Sequence, residues 1–226
     1  MVNKVRICLI GAKGRMGQTI VELAKNDPKI EIAAECDLGD PLEPAIKKAD
    51  VAVDFSNAGA INEICSIAAK HGKALVIGTT GHSSEQRKSI EKTATSLPIV
   101  FASNFSVGVN ALFALTLRAA EILGPDFAPQ ITETHHTKKK DAPSGTAKTL
   151  AETLKRAGKS DIPIESIREG EVVGDHTVIF VGPKERLELT HRAASREIFG
   201  RGALRAAEWV AGKAPGLYSM QDVLGL

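Results

Sequence analysis

The architecture of this chain follows from one stretch near its start, Val5-Arg6-Ile7-Cys8-Leu9-Ile10-Gly11-Ala12-Lys13-Gly14-Arg15-Met16-Gly17. The run before Gly11 is almost continuously apolar, which is typical of a parallel strand buried on both faces. A glycine turn follows at once, and a helical pattern with Ile20 and Ala24 comes next. Strand, glycine turn and helix in this order predict a dinucleotide-binding unit with the pyrophosphate at the helix N-terminus.

The glycines are spaced Gly-x-x-Gly-x-x-Gly, so that a lysine stands where many dinucleotide-binding folds have a glycine. Gly11 permits the tight turn, and Gly17 permits close packing of the helix on the strand. The alternative is a turn without a ligand, because a glycine motif alone is a weak signal. The candidate cofactor-binding residues of this turn are Gly11, Ala12, Lys13, Gly14, Arg15 and Met16.

An acidic side chain about 20 residues beyond the glycines is expected to bind the adenosine ribose hydroxyls. A second strand is predicted over 30–36. Asp37 and Glu35 both qualify, and we favour Asp37 because it lies at the end of this strand. The alternative is a solvated edge carboxylate. A carboxylate at this place repels a 2′-phosphate, while Lys13 and Arg15 partly compensate for that repulsion. We therefore expect both cofactors to be used, with NADH preferred over NADPH.

Strands and helices continue to alternate as far as residue 105. Apolar runs at 51–56, 74–77 and 98–101 predict further strands, which are separated by helical patterns such as 60–71. This alternation predicts a Rossmann-like, doubly wound parallel sheet in an α/β protein. Ligand loops of such sheets lie at the carboxyl ends of the strands. Further candidate cofactor-binding residues there are Gly78, Thr79, Thr80, Ala102, Ser103, Asn104 and Phe105.

The pattern changes in the second half. A long helix is predicted over 106–124, and β-rich runs follow at 130–137, 176–181 and 186–192 with one helix, 144–157, among them. Strands without intervening helices predict an open mixed sheet in a smaller α+β domain. The predicted domains are 1–106 plus 195–226 for dinucleotide binding and 107–194 for substrate binding and oligomerisation. A last helix is predicted over 201–212.

The stretch Glu133-Thr134-His135-His136-Thr137-Lys138-Lys139-Lys140-Asp141-Ala142-Pro143-Ser144-Gly145-Thr146-Ala147 carries the candidate chemistry. It predicts a strand with Glu133 and His135 on one face, then a cationic loop and a helix that starts near Ser144. A helix start offers N–H groups with positive partial charge to an anion. With Lys139 and an imidazole nearby, we expect a pocket for a small dianion with a proton donor. The alternative is a solvated basic loop with an ordinary N-cap.

The run His-His-x-x-Lys-x-Asp-Ala-Pro-Ser-Gly-Thr-Ala within this stretch resembles the signature of the 4-hydroxy-tetrahydrodipicolinate reductase (dihydrodipicolinate reductase) family. The Gly-Arg-Met-Gly turn and the segment 217–224 are also similar to that family, so the resemblance runs from Gly11 to Leu224. It implies reduction of the dicarboxylate substrate to tetrahydrodipicolinate with NAD(P)H, in lysine and diaminopimelate biosynthesis, by a cytoplasmic homotetramer. The linkers after Asp37 and between Glu169 and Val173 are short for the family.

The resemblance also implies residue roles. His135 matches a proton donor or acceptor, and Lys139 matches a proton donor. His136 would hold the substrate. The backbone N–H groups of Gly145 and Thr146 would bind one of its carboxylates, and Arg196 matches a further arginine that contacts the substrate. Such roles suit the chemistry, since hydride addition to a conjugated imine develops negative charge that a nearby acid must quench.

Composition and charge exclude several other classes. The net charge of +2 is too small to indicate nucleic-acid binding, and the lysine run has no aromatic residues among it. No apolar run reaches the ~20 residues that span a bilayer, and no signal-peptide core is present. We therefore expect no nucleic acid and no membrane as partners.

The cysteines and histidines do not show the spacing of a metal site. Cys8, Cys36 and Cys65 are typical of reduced thiols in a cytoplasmic protein. The adjacent histidines of a strand point to opposite faces, so we expect no metal. A second function remains open, a non-catalytic redox sensor that binds a dinucleotide. It would need the glycine turn but not the pair of His135 and Lys139.

Overall fold

The computed structural model describes residues 4–226. Its contacts divide the chain into two compact units: one consists of the described residues up to Ser106 together with Glu197–Gly225, and the other of Val107–Arg196 with Leu226. The return to the first unit, predicted at residue 195, lies at Glu197. The predicted range 1–106 includes residues 1–3, which lie outside the described residues.

The described residues form ten strands and eight α-helices, with one short 3-10 turn at Ala58–Ala60. In chain order these are β1 (Val5–Ile10), α1 (Arg15–Lys25), β2 (Ile30–Cys36), α2 (Leu42–Lys47), β3 (Val51–Asp54), α3 (Ile61–His71), β4 (Ala74–Ile77), α4 (Ser84–Ala94), β5 (Pro98–Phe101), α5 (Val107–Leu123), β6 (Ala128–His135), α6 (Gly145–Arg156), β7 (Ile164–Arg168), β8 (Asp175–Val181), β9 (Arg186–Arg192), α7 (Glu197–Val210), β10 (Gly216–Tyr218) and α8 (Met220–Leu224).

The first unit contains a six-stranded sheet in the order β10-β5-β4-β3-β1-β2, and every pair of neighbouring strands is parallel. The predicted doubly wound, Rossmann-like sheet is confirmed. Strand β1 lies between β2 and β3, so the chain order reverses at β1. Ligands of open α/β sheets bind in the crevice at such a reversal. The glycine turn after β1 therefore lies at the position where this fold binds a ligand.

Helices cover both faces of the sheet because the strands bury alternate residues on opposite sides. Ile7 and Leu9 of β1 pack against α1, α7 and α8, whereas Cys8 and Ile10 pack against α2, α3 and α4. All four side chains are almost fully buried. This two-sided burial explains the nearly continuous apolar runs in the sequence.

Helix α7 begins at Glu197, four residues before the predicted start at 201. Gly200 and Gly202 made this part of the sequence a poor helix former. The helix nevertheless packs so closely on Phe105 that a Cβ at residue 202 would lie 1.7 Å from its carbonyl oxygen. Only glycine allows this approach, and the packing overrides the low helix propensity. Tertiary contact, and not local preference, therefore determines where this helix starts.

The second unit contains a mixed four-stranded sheet in the order β7-β6-β8-β9, as predicted for the smaller α+β domain. Strands β6 and β7 are parallel, and the other two pairs are antiparallel. Strand β7 is absent from our sequence prediction, as is β10 in the first unit. Both are short, and their pairing with distant strands stabilises them.

Helices α5 and α6 pack on one face of this second sheet around Ile131, Val178 and Phe180. On the other face, Ile167 and Val181 are each 36% exposed. Among the described helices, none combines the length and the apolar character that a membrane-spanning segment requires.

Candidate active site

The glycine turn of the first unit requires its glycines at two positions. Gly11 has φ +84°, and a Cβ there would lie 2.5 Å from the carbonyl oxygen of Phe55. A Cβ on Gly17 would lie 2.2 Å from the carbonyl oxygen of Gly11, so α1 could not pack closely on the turn. Gly14 precedes α1 without a side-chain cap. The first turn of α1, which contains Arg15 and Met16, therefore presents its N–H groups as an uncapped helix N-terminus suited to an anion.

Asp37 contacts the glycine turn directly. Its Oδ2 accepts a hydrogen bond from the backbone N–H of Lys13 at 2.8 Å, and its Oδ1 accepts one from Leu38 N–H at 2.9 Å. These bonds, that from Leu38 most strongly, lower the pKa of the Asp37 carboxyl. Glu35 is exposed on the edge strand β2. The fold thus brings Asp37, and not Glu35, to the turn.

The other predicted cofactor loops also follow parallel strands of this sheet. Gly78–Thr80 follows β4 and Ala102–Phe105 follows β5, so both lie at the same edge as the glycine turn. Sequence reasoning missed Phe55, which lies among these loops. A Cβ on Gly78 would lie 2.3 Å from the Phe55 ring, and the rings of Phe55 and Phe105 are 5.6 Å apart. Its position directly after β3 was the signal available in the sequence.

In the second unit, Glu133 is the centre of a buried hydrogen-bonded cluster. Its side chain is fully buried on β6. Oε2 contacts Nδ1 of His135, and Oε1 accepts from Nη2 of Arg168 at 2.9 Å and from the N–H of Ser144 at 3.2 Å. Burial would raise the pKa of Glu133, but the hydrogen bonds from Arg168 and His135, with that from Arg168 the larger, hold this pKa below its usual value. Glu133 is therefore an ionised carboxylate.

His135 lies at the end of β6 with 8% of its surface exposed. Burial lowers the pKa of His135, and the charges of Lys139 and Arg168 lower it further, while the neighbouring Glu133 opposes them. The ring is therefore neutral at pH 7. Because an ionised carboxylate only accepts hydrogen bonds, the proton of this neutral ring is on Nδ1. The lone pair is on Nε2, which is the atom available for proton transfer.

His176 on β8 is the second buried imidazole of this cluster. Its ring lies edge-on to His135 with 5.1 Å between the centroids, and its Nε2 is 3.1 Å from Oγ of Ser144. Burial lowers the pKa of His176 to about 3, so this ring is also neutral. Ser144 caps α6 by accepting from the N–H of Ala147 at 3.2 Å. Ser144, near which the start of this helix was predicted, is thus an N-cap that is also hydrogen-bonded to β8 through His176.

Lys139 lies in the loop between β6 and α6. Its Nζ pairs with Oδ1 of Asp141 at 2.9 Å, and its backbone N–H donates to the carbonyl of His136. Arg168 donates to the carbonyl oxygen of Asp141 at 2.6 Å and to Glu133. Arg168 thus joins the loop to the buried cluster. Sequence reasoning missed it because β7, which carries it, was not predicted.

The remaining predicted site residues differ in their relation to this cluster. His136 donates its backbone N–H to the carbonyl of Val172 at 2.7 Å, and its Nδ1 is buried without a hydrogen-bond partner. Gly145 and Thr146 form the first turn of α6, and the space beside Gly145 is open. Arg196 directly precedes α7 and is not part of the cluster that the described residues form.

Glu133, His135 and His176 also form a group whose possible ligand atoms lie within 4.8 Å of one another. The spacing of the sequence did not indicate this group, because β8 brings His176 to the Glu133–His135 pair only in the folded chain. Both oxygens of Glu133 already accept hydrogen bonds, and the Arg168 guanidinium adds positive charge beside them. The group is therefore arranged as a hydrogen-bonded network and not as an open cation site.

Both units match models of one known protein family. A family model described as dihydrodipicolinate reductase, N-terminus, matches residues 5–105, and one described as dihydrodipicolinate reductase, C-terminus, matches residues 108–224. The chain belongs to the dihydrodipicolinate reductase family. The resemblance seen in the signature around His135 and Lys139 is thereby confirmed.

Individual members of this family match over nearly the whole chain. The 4-hydroxy-tetrahydrodipicolinate reductase of Akkermansia muciniphila is 48% identical, over 98% of each chain. The enzyme of the same name from Methanoculleus marisnigri is 43% identical and covers 98% of this chain and 100% of its own.

The fold agrees with a solved reductase structure. A dipicolinate-bound dihydrodipicolinate reductase from Paenisporosarcina sp. TG-14 superposes with a TM-score of 0.83 at 23% identity, over 97% of this chain and 98% of that one. At this identity the agreement concerns the fold. The Rossmann-like unit with a second mixed-sheet unit is therefore the architecture of this reductase family.

Proposed function

We propose that this chain reduces 4-hydroxy-tetrahydrodipicolinate to tetrahydrodipicolinate, with a reduced nicotinamide cofactor bound by the first unit and the substrate bound by the second. The substrate takes up one hydride and one proton, and its 4-hydroxyl group leaves as water. The observation that carries the proposal is the buried Glu133–His135 pair beside Lys139 and the N-terminus of α6, in a chain of the dihydrodipicolinate reductase family. The enzyme is an NAD(P)H-dependent oxidoreductase of lysine and diaminopimelate biosynthesis.

The first unit has the features of a nicotinamide dinucleotide site. The N-terminus of α1 and the turn Gly11–Met16 suit the pyrophosphate, and Asp37 suits the adenosine ribose. The loops Gly78–Thr80 and Ala102–Phe105 complete the candidate site. When bound, the reduced nicotinamide supplies a hydride.

The second unit supplies proton transfer and charge stabilisation. One proton accompanies the hydride: Lys139 donates it to the negative charge that develops on the substrate, and the basic Nε2 of His135 accepts a proton from water and relays it to restore the lysine. The N–H groups of Gly145 and Thr146, at the positive end of α6, hold one substrate carboxylate. His136 and Arg196 hold the remainder of the dicarboxylate.

A turnover assay distinguishes this function from a redox sensor that only binds the dinucleotide. The purified protein should oxidise NADH only when it is given the condensation product of pyruvate and aspartate semialdehyde. Binding of NADH without any such turnover would favour the sensor.

Cofactor preference is expected to depend on Asp37. Because the ionised carboxylate of Asp37 is held beside Lys13 N–H, it accepts bonds from ribose hydroxyls and repels a 2′-phosphate. We expect a higher kcat/KM with NADH than with NADPH. In Asp37→Ala the ratio of these two kcat/KM values should fall by roughly fivefold or more, since one charge interaction near the surface is worth about 1 kcal/mol or more. Steady-state kinetics with both cofactors measure the ratio.

Glu35→Gln is the matched control for this prediction, because Glu35 is exposed on β2, the strand that precedes Asp37, and is not hydrogen-bonded to the turn in the described structure. The ratio should stay at the parent value in that variant. A parent enzyme with better kcat/KM for NADPH would contradict the assignment of Asp37.

A homotetramer is expected from the face of the second sheet that α5 and α6 do not cover. Ile167, Val181 and the hydrogen-bonded pair of Thr177 and Thr190 lie on that face. An open sheet with apolar side chains is a surface that another subunit covers. Sedimentation should give four times the chain mass of 24.0 kDa. Val181→Glu should lower this mass, whereas Ile122→Glu on the exposed surface of α5 should not.

The three cysteines are free and buried, which suits a reducing compartment. We therefore assign the enzyme to the cytoplasm. Fractionation of cells that express the protein tests this assignment, since the enzyme should appear in the cytoplasmic fraction.

A further inference from the structure

Glu133 takes no part in the proton transfer described above, yet its side chain joins three elements of the second unit. It receives donors from His135 on its own strand β6, from Ser144 at the start of α6 and from Arg168 on β7. It is fully buried, and a buried carboxylate is costly unless its oxygens are satisfied. Here both oxygens are satisfied.

The contact with His135 has a chemical consequence. Because Glu133 accepts from Nδ1, the other ring nitrogen of His135 is left as the basic atom. The bond also fixes the rotation of the ring about its side chain. Ser144 and Arg168 hold the carboxylate in place in turn, through α6 and β7, so the ring is positioned relative to the N-terminus of the helix that receives the substrate carboxylate.

We propose that Glu133 is a positioning residue that fixes the tautomer and the orientation of His135, so that Nε2 faces the reacting substrate. This inference rests on the proposed role of His135 in proton transfer. Glu133 itself does not touch the substrate and acts through the imidazole.

The charges around His135 make the carboxylate necessary. The groups that face the ring are Glu133 on β6, the neutral His176 on β8, Lys139 in the following loop and Arg168 on β7. Among them only Glu133 favours a protonated ring. Without its charge, the two cations act unopposed, and the pKa of His135 falls.

The variant Glu133→Gln tests this role. A glutamine keeps the size of the side chain but has one acceptor atom for the three donors, and it removes the negative charge. We expect kcat to fall at least roughly tenfold, as part of the contribution of a positioned acid or base is lost. The limb of the pH profile of kcat/KM that belongs to His135 should move to lower pH. Glu165→Gln, the same change at an exposed position of β7, should leave both quantities at the parent values.

A double-mutant cycle separates positioning from a merely structural role. If Glu133 acts through His135, Glu133→Gln should cause almost no further loss in a His135→Gln background, because the partner on which it acts is already absent. An equal loss of kcat in both backgrounds would overturn the proposal. NADH binding, which belongs to the first unit, should match the parent in all three variants.

A measurement on the unchanged enzyme keeps the proposal testable if Glu133→Gln fails to fold. In protein with 15N-labelled histidine, the His135 resonances, assigned by their loss in His135→Gln, should show the proton on Nδ1 in the neutral ring. A proton on Nε2 would overturn the inference. If His135→Gln retains full turnover, the proposed role of His135 fails, while the tautomer measurement still decides whether Glu133 orients the ring.

Discussion

Replacing Lys139 with alanine is expected to lower kcat by roughly two or more orders of magnitude, the usual scale for a lost acid or electrostatic donor. The charge of Lys139 acts on His135 and His176 of the buried cluster, and the ion pair with Asp141 holds the lysine side chain in the loop between His136 and α6. Its contribution should grow as negative charge develops on the substrate, so the loss should appear in kcat as well as in kcat/KM. Steady-state kinetics with saturating NADH measure both.

Two further variants show whether Lys139 acts in catalysis or in binding. His136→Ala, at the residue assigned to substrate holding, should mainly raise KM. Lys138→Ala is the matched control, since Lys138 is exposed and pairs with Glu171 on the surface. It should keep the parent kinetics, and all three variants should bind NADH as the parent does. A Lys139→Ala enzyme with near-normal kcat and a raised KM would show that the lysine only clamps a carboxylate.

Gly202→Ala is expected to cause the largest loss of stability. A Cβ at this position would lie 1.7 Å from the carbonyl oxygen of Phe105 and 2.7 Å from its carbonyl carbon. Backbone atoms cannot move aside as a side-chain end does, so α7 or the loop Ala102–Phe105 must shift. We expect a loss of more than about 3 kcal/mol in the free energy of unfolding, at the upper end for overpacking. NADH binding should weaken too, because this loop belongs to the candidate cofactor site.

Gly200→Ala on the same helix is the control. The new Cβ would meet the end of the Leu23 side chain at 2.8 Å, and that side chain is able to move. Alanine also gains up to about 1 kcal/mol of helix propensity over glycine. The unfolding free energy should therefore stay within about 1 kcal/mol of the parent value. Chemical denaturation of both variants measures the difference, and equal stabilities would contradict the steric argument.

Local patterns in the sequence were sufficient for the main elements of the fold. The apolar run before Gly11, the glycine turn and the alternation of strands and helices predicted the parallel sheet, because strand burial and helix periodicity are properties of neighbouring residues. The signature around His135 and Lys139 predicted the family for the same reason, since its residues are contiguous. The side of β6 on which Glu133 and His135 lie also followed from the period of a strand.

Pairings between residues distant in sequence were decided by the tertiary structure. Strands β7 and β10 are too short to be recognised alone, and their partners β6 and β5 stabilise them. The addition of Arg168 and His176 to the Glu133–His135 pair depends on β7 and β8 lying on either side of β6. The contact of Asp37, and not of Glu35, with the glycine turn also arises only in the folded chain, through the hydrogen bond from Lys13 N–H. The residue types of these site side chains can be read from the sequence. Their hydrogen bonds and pKa values arise only where folding buries the side chains together.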